Sequence, residues 1–374
     1  MLEVILIIIY IPLTLAVGLA LRQVWFAWRH FTPPTPSQQA KAGNLPSVTV
    51  CIPARNETHA MSDCLESVLD STYPKLEIIV LDDSSLDDTS NLIKSFAHSG
   101  VRFVSGQKLP TGWLGKNFAL EGLLQEASGS LVLFLDVDTR LRPQTIGQLV
   151  SYMDQEGASM VSVLPRREDG WRWSVLLSPL RYFWEIMFHR VLAPPAASNA
   201  WMIKRQDLLD YGSFASLKDA IKPESHLSAY FAHRDRYRFL VGTRALGLSY
   251  EKKWRSQLAT SSRLLYPLLG GQWAPALIVM FDLALLLVPL LALLYLGPAL
   301  DLIYVLYALL LHLAFSLLYA MYTKRVWSQG WWLAAVIWPI IVLQEIVLIV
   351  ASYIMYQRKI VTWKGRPIRS EVQN

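Results

Sequence analysis

LVLFLDVDTR, residues 131–140, sets five apolar residues directly against two carboxylates one residue apart. The run Leu131–Leu135 has no polar alternation, the pattern of a strand covered on both faces in a mostly parallel sheet. Two acids at the end of such a strand repel each other, so their spacing asks for a ligand. Alternate strand residues share a face, which would bring Asp136 and Asp138 out together and turn Val137 into packing. Carboxylates so arranged can hold a divalent cation, and Mg²⁺ commonly bridges one or two carboxylates to substrate phosphates.

The neighbouring sequence repeats this alternation of types. SVTVCIPA (47–54), KLEIIVLDD (75–83), VRFVSG (101–106) and ASMVSVLP (158–165) are further short apolar runs. Between them lie helical stripes: Met61, Cys64, Leu65, Val68 and Leu69; Leu120, Leu123, Leu124 and Ala127; Ile146, Leu149, Val150 and Met153. Strand and helix in alternation predict an α/β fold, Rossmann-like, with a mostly parallel sheet flanked by helices. Ligands of such sheets bind at the carboxyl ends of the strands. That puts PARNE (53–57), DDSSLDDT (82–89) and DVDT (136–139) on one rim. No GxxxxGK[ST] or GxGxxG occurs, which argues against ATP hydrolysis and dinucleotide binding. Strand one ends in PARNE instead of a Gly-rich, Lys-bearing loop, which disfavours a nucleotidyltransferase. Cys51 and Cys64 have no partners at metal-site spacing, so neither a disulfide framework nor a zinc site is expected.

Composition adds a membrane. Of 374 residues 53% are hydrophobic, only 17% are charged, and 14 are tryptophan. A net charge of +6 without a Lys/Arg tract gives no nucleic-acid arm, and the basic residues gather beside apolar segments. Residues 1–24 read as an N-terminal transmembrane anchor, since a crossing needs roughly 20 apolar residues. Residues 25–46 read as a linker, 47–260 as the α/β domain, 261–356 as a transmembrane region, and 357–374 as a basic tail. Three C-terminal spans are expected: Ala274–Leu296, Ala299–Tyr322 and Trp331–Tyr356. Arg22, Arg29 and His30 put the domain on the cytoplasmic face of the inner membrane by the positive-inside rule. An odd number of C-terminal spans would leave the basic tail outside, against that rule, unless the segment carrying Glu345 is re-entrant. Glu345 and Asp282 are costly in lipid and should face protein or water. Trp171–Leu192, aromatic but carrying Arg172, Arg181, Glu185 and Arg190 and broken by Pro179, reads as an interfacial helix guiding a lipid; packing between domains is the competing reading.

VTVCIPARNE, LEIIVLDDSSLDDTS, GWLGKNFALEGLLQEASGSLVLFLDVDTRLRP and the closing WKGR (363–366) resemble the family 2 glycosyltransferases, membrane-anchored members in particular. The pattern is similar to hopanoid-biosynthesis and carotenoid glycosyltransferases and more distantly to ceramide glucosyltransferases. The resemblance implies a GT-A fold and a nucleotide-sugar donor, UDP-linked, with Mg²⁺ or Mn²⁺ as cofactor. It places Pro53, Ala54 and Glu57 by the nucleoside and Asp82 or Asp83 on the base. Asp136 would meet the ribose or metal, and Asp138 would be the main metal ligand. Gly115, Lys116 and Asn117, at a helix start, would neutralise phosphate. The family's acidic motif aligns with KDAIKPESHLSAYF, making Glu224 the general base where an Asp is usual, with Asp219 as fallback. The family's Gln/Arg-x-x-Arg-Trp is replaced by Lys252, Lys253, Trp254 and Arg255, which would meet the diphosphate and acceptor.

The implied reaction is inverting transfer of a sugar to a lipid acceptor. A polyprenyl-phosphate sugar synthase is the alternative; its anionic acceptor needs no base. A processive synthase, a transporter or a non-catalytic scaffold fits less well, because four spans are few and a scaffold has no use for the rim acids.

Overall fold

The computed structural model describes residues 2–31, 45–168, 172–187, 189–364 and 366–367; most of the 25–46 linker and the end of the tail lie outside them. From the N-terminus the chain makes α1 (Leu2–His30), β1 (Val48–Ala54), α2 (Met61–Leu69), β2 (Leu76–Asp82), α3 (Thr89–Ser95), β3 (Val101–Ser105), α4 (Gly115–Glu126) and β4 (Leu131–Leu135). Each expected stripe faces inward: Met61, Cys64, Leu65 and Val68 on α2, and Leu120, Leu123 and Leu124 on α4, are buried. Both cysteines are buried and free. Next come β5 (Thr139–Leu141), α5 (Thr145–Gln155), β6 (Met160–Leu164), β7 (Arg166–Arg167), α6 (Trp173–Leu176), α7 (Arg181–Met187), β8 (Ala200–Lys204), α8 (Arg205–Tyr211), α9 (Pro223–Ala232), β9 (Tyr237–Val241) and β10 (Leu248–Tyr250).

Seven strands form one sheet in the order β3-β2-β1-β4-β8-β6-β9, and β5, β10 and β7 form a second, small one. Pairing is parallel except where β8 lies antiparallel between β4 and β6. The chain winds from β1 outward to β3, then returns to lay β4 on the other side of β1. That reversal opens a crevice between the ends of β1 and β4, where ligands of such sheets sit. Strand alternation divides the core. Leu131, Leu133 and Leu135 enter the layer beneath α2 and α5, while Val132 and Phe134 enter the layer on the α4 side. The second layer continues without a break into the apolar helices at both chain ends, so the domain and the bundle share one core.

The bundle comprises α1 together with α10 (Trp254–Leu268), α11 (Trp273–Leu291), α12 (Leu302–Val326) and α13 (Ala334–Gln357). The helices Glu3–His30, Trp273–Ala299, Leu302–Val326 and Trp331–Gln357 are long and apolar enough to cross a membrane. α1 and α12 run in the same direction: Tyr10 meets Tyr307 at 5.2 Å, and Arg325 lies over Trp28 at 5.2 Å. Their outward faces carry exposed Ile8, Leu15, Leu306 and Leu313, a surface suited to lipid.

α13 behaves differently. Ahead of it, Ser328 N donates to Arg167 O at 2.8 Å, tying its start to the domain. At its middle, Leu180 N donates to Glu345 Oε2 (3.2 Å) and Gln344 donates to Leu177 O (3.0 Å). Along its second half, Tyr266 N donates to Ser352 Oγ and Tyr356 Oη to Arg263 O, antiparallel to α10. After it, β11 (Thr362–Trp363) and β12 (Arg366–Pro367) pair as a hairpin, and Lys364 reaches Asn56 and Glu57. Glu345 is thus buried against protein, as its cost in lipid requires.

The segment expected as one interfacial helix is instead two short ones, α6 and α7, parted at Ser178–Pro179, because proline cannot continue a helix. Phe183 packs on Tyr319 and Tyr322 of α12, so the inner side joins domain to bundle; Trp173, Val191 and Leu192 stay exposed.

Truncating the fully buried Leu133 to alanine should destabilise the domain by about 2–5 kcal/mol, read as a lowered thermal midpoint in detergent.

Candidate active site

β4 ends at Leu135, one residue short of the acids, so a turn and not strand alternation positions them. Asp136 N donates to Asn199 O (2.8 Å) and Thr139 N returns to Asp136 O (2.9 Å), closing the turn. Both carboxylates face a cavity of about 500 Å³ at the β1–β4 crevice. Glu57, just past β1, is the third acid there.

Each of these acids meets a lysine from a different part of the chain. Lys116, in the first turn of α4, donates to Asp136 Oδ1 at 2.8 Å. Lys252, just before α10, lies 3.5 Å from Asp138 Oδ2. Lys364, in the tail, lies 2.8 Å from Glu57 Oε1. Burial pushes the Lys116 ammonium down, but Asp136 and Glu224 outweigh it and hold it above the ordinary lysine value. Burial lifts the Glu57 carboxyl above the usual range; Lys364 opposes this, while Asp138 and Asp136 add to it.

Glu224 enters from α9, where Pro223 opens the first turn and the helix dipole favours a carboxylate. It is 3% exposed and faces the cavity. Arg167 is also buried, its guanidinium 4.7 Å from the Tyr250 ring and donating to Lys252 O. Tyr182 donates to Asn199 Oδ1 at 3.0 Å, and Lys222 binds Glu185 at 2.6 Å. The cavity then runs on to Ala259 and Leu264 of α10 and to Tyr319, Tyr322 and Val326 of α12, so a helix long and apolar enough to cross a membrane forms part of its wall. Among the described residues lining it are nine lysines and arginines against four aspartates and glutamates, an excess that selects an anionic ligand.

Of the residues singled out in the sequence, Pro53, Glu57, Lys116, Asp136, Asp138, Glu224, Lys252, Lys253 and Arg255 line this cavity. Others do not. Asp82 is buried and spent locally, accepting from Ser85 N at 3.2 Å and from the Ser85 and Ser90 hydroxyls. Asp83 and Ala54 are buried, with Asp83 N donating to Ala54 O. Asn117 donates to Leu217 O (2.7 Å) and Ala220 O (2.8 Å), pinning the turn before α9. Gly115 and Trp254 are off the lining, and Asp219 is exposed and off it too. His59, Arg167 and Lys364 carried no signal of their own in the sequence; only the closing WKGR pointed to the last.

Glu57, His59 and Asp138 bring two carboxylate oxygens and an imidazole nitrogen within 4.8 Å of one another. Burial, then Lys253, hold the His59 imidazole below its usual pKa, in the neutral form that ligates metals. Two carboxylates and a neutral imidazole are a donor set that can hold a divalent cation. Asp136, expected in the metal set, lies outside this group of three and pairs with Lys116 at 2.8 Å.

Residues 49–208 match the Glycosyl transferase family 2 model. Over 121 residues it is 30% identical to glycosyltransferase AglE of Haloferax volcanii, covering 31% of this chain and 38% of that protein. Over 124 residues it is 30% identical to 4,4'-diaponeurosporenoate glycosyltransferase of Staphylococcus aureus, covering 33% of this chain and 32% of that one. The chain thus spans about a third of the length of the curated relatives it matches. The mannosyltransferase PcManGT of Pyrobaculum calidifontis, solved with GDP-Man and Mn²⁺, superposes over 94% of this chain and 99% of its own, with a TM-score of 0.57 at 19% identity. The fold is therefore GT-A with apolar helices at both ends.

Asn117→Ala should cost about 1–3 kcal/mol through the carbonyls it leaves unpaired while nucleotide affinity stays unchanged; thermal melts and calorimetry measure the two separately.

Proposed function

We propose that this protein transfers a sugar from a nucleoside diphosphate, UDP first among candidates, to a lipid acceptor at the membrane surface. One observation carries the reading: a strongly cationic cavity, seated at the crevice of a family 2 domain, has α10 and α12 for part of its wall. The carotenoid glycosyltransferase among the relatives supports a lipid acceptor.

The residues divide the work. Lys116, Lys252 and Arg255 are placed to take the charge that develops on the departing diphosphate. A divalent cation held by Glu57, His59 and Asp138 would add Lewis-acid stabilisation of that leaving group. On the acceptor side, Glu224 receives the hydroxyl proton as the oxygen attacks the anomeric carbon, and Lys116 lies near enough to steady its negative charge. Tyr319, Tyr322 and Val326 give an apolar stem a surface to rest on. Inversion follows from the family resemblance.

The excess of cations over acids leaves charge beyond what one diphosphate needs, which favours a second reading: a lipid phosphate as acceptor. Glu224→Gln separates them. With a hydroxyl acceptor, turnover should fall by about 10²–10⁴ while UDP binding persists; with a phosphate acceptor, turnover survives. Mass spectrometry of lipid extracts from cells with and without the protein should show one new hexose-sized adduct, and its absence counts against both.

The membrane arrangement is part of the proposal. Fully extended, the link from Gln357 to Lys364 reaches about 25 Å, short of a hydrocarbon core of roughly 30 Å. Lys364 touches the catalytic rim, so α13 begins and ends on the domain's side. Three crossings, α1, α11 and α12, then bring the basic tail back beside the domain, as the positive-inside rule asks. Since Cys51 and Cys64 are buried, single cysteines placed at Ser37 and Asn374 can be tested with a membrane-impermeant maleimide in sealed vesicles. Both should react from the same side; labelling from opposite sides would mean that α13 crosses.

A further inference from the structure

The tail does more than lie near the rim. Arg55, buried at the end of β1, donates from Nη1 to Asp83 O and to Ser84 O (2.9 Å), and from Nε to Lys364 O (3.0 Å). Lys364 Nζ answers with Asn56 O (3.2 Å) and Glu57 Oε1 (2.8 Å). Asn56, Ser84 and Lys364 all have left-handed backbone, with φ of 51°, 55° and 49°. Such conformations persist in non-glycine residues only where surroundings fix them, and they gather at functional sites. Three of them meet around one arginine, so the tail is clasped to the β1 and β2 ends in a set position.

What the clasp delivers is an ammonium on Glu57. Glu57 belongs to the Glu57–His59–Asp138 group, and Asp138 is likewise attended, by Lys252 at 3.5 Å. Both carboxylates that would hold a divalent cation therefore already have monovalent ones. We infer that Lys364 is an electrostatic latch on this group: it blocks the cation alone, and it moves to the nucleotide's phosphates when cation and nucleotide arrive together. The charge arithmetic requires such an exchange. A divalent ion entering alone would press two ammonium groups against it, whereas a diphosphate brings new anionic partners for both lysines. The tail is thereby a binding element of the donor site, coupling metal occupancy to donor occupancy. This inference rests on reading the cavity as a nucleotide-diphosphate site.

Calorimetric titration of the full chain in nanodiscs tests it, comparing wild type, Lys364→Met and Lys364→Arg. Mn²⁺ alone should bind Lys364→Met about tenfold more tightly than wild type, while UDP with Mn²⁺ should bind it about tenfold more weakly. Lys364→Arg keeps the charge and should follow wild type in both. An unchanged or weaker affinity of Lys364→Met for Mn²⁺ alone overturns the latch, with thermal melts confirming that the variant is folded. If it melts early, deletion of the tail after Ile360 gives the same comparison. The Mn²⁺ arm needs no nucleotide, so the two failures are distinct. If wild type binds neither UDP nor GDP in the presence of Mn²⁺, the donor-site reading falls and the latch with it.

Discussion

Carboxylates that face one cavity repel each other, and partial burial sharpens the repulsion. Glu57, Asp136 and Asp138 share such a space, and the fold holds them together by giving each a lysine. The three lysines stand at positions 116, 252 and 364, and no local element could supply them all. Much of the architecture follows. α4 must begin at the rim to present Lys116, the small second sheet must carry the chain back to Lys252, and the helical bundle must return the tail for Lys364. Charge compensation at one spot thus constrains segments hundreds of residues apart.

The continuous core between the sheet and the bundle serves the same end. Phe183 on Tyr319 and Tyr322, together with Leu180 on Glu345, fixes the wall of the cavity to the long apolar helices. A hinge between domain and membrane would let the acceptor side drift from the donor side, and reaction geometry tolerates little drift.

Much of this was legible in the sequence, for reasons that are local. Unbroken apolar strands and period-3.6 stripes report burial directly, which is why β1 to β4, β6 and the inward faces of α2, α4 and α5 could be read. Asp136, Asp138 and Glu57 stood out because acids at strand ends are costly without a ligand. What stayed hidden depends on distance. β8 inserts antiparallel between β4 and β6, a pairing that no spacing in Ala200–Lys204 announces. Asp82 looks the same on paper whether or not its carboxylate is engaged locally, and only the fold brings the Ser85 and Ser90 hydroxyls onto it. α13 has the length and hydropathy of a span, and its contacts with the domain at both ends are not announced by its own residues. His59 and Lys364 gain meaning solely from what the fold sets beside them.

The clasp around Arg55 also bears on how the protein is made. The rim begins with Pro53 and closes with Lys364, so a chain still emerging from the ribosome holds β1 and β4 long before the last wall exists. The bundle must fold and α13 must settle before the tail can reach its seat. A half-made chain is left with an open crevice lacking α10, α12 and the tail. The order of synthesis therefore leaves the cavity without its last wall until Lys364 is in place.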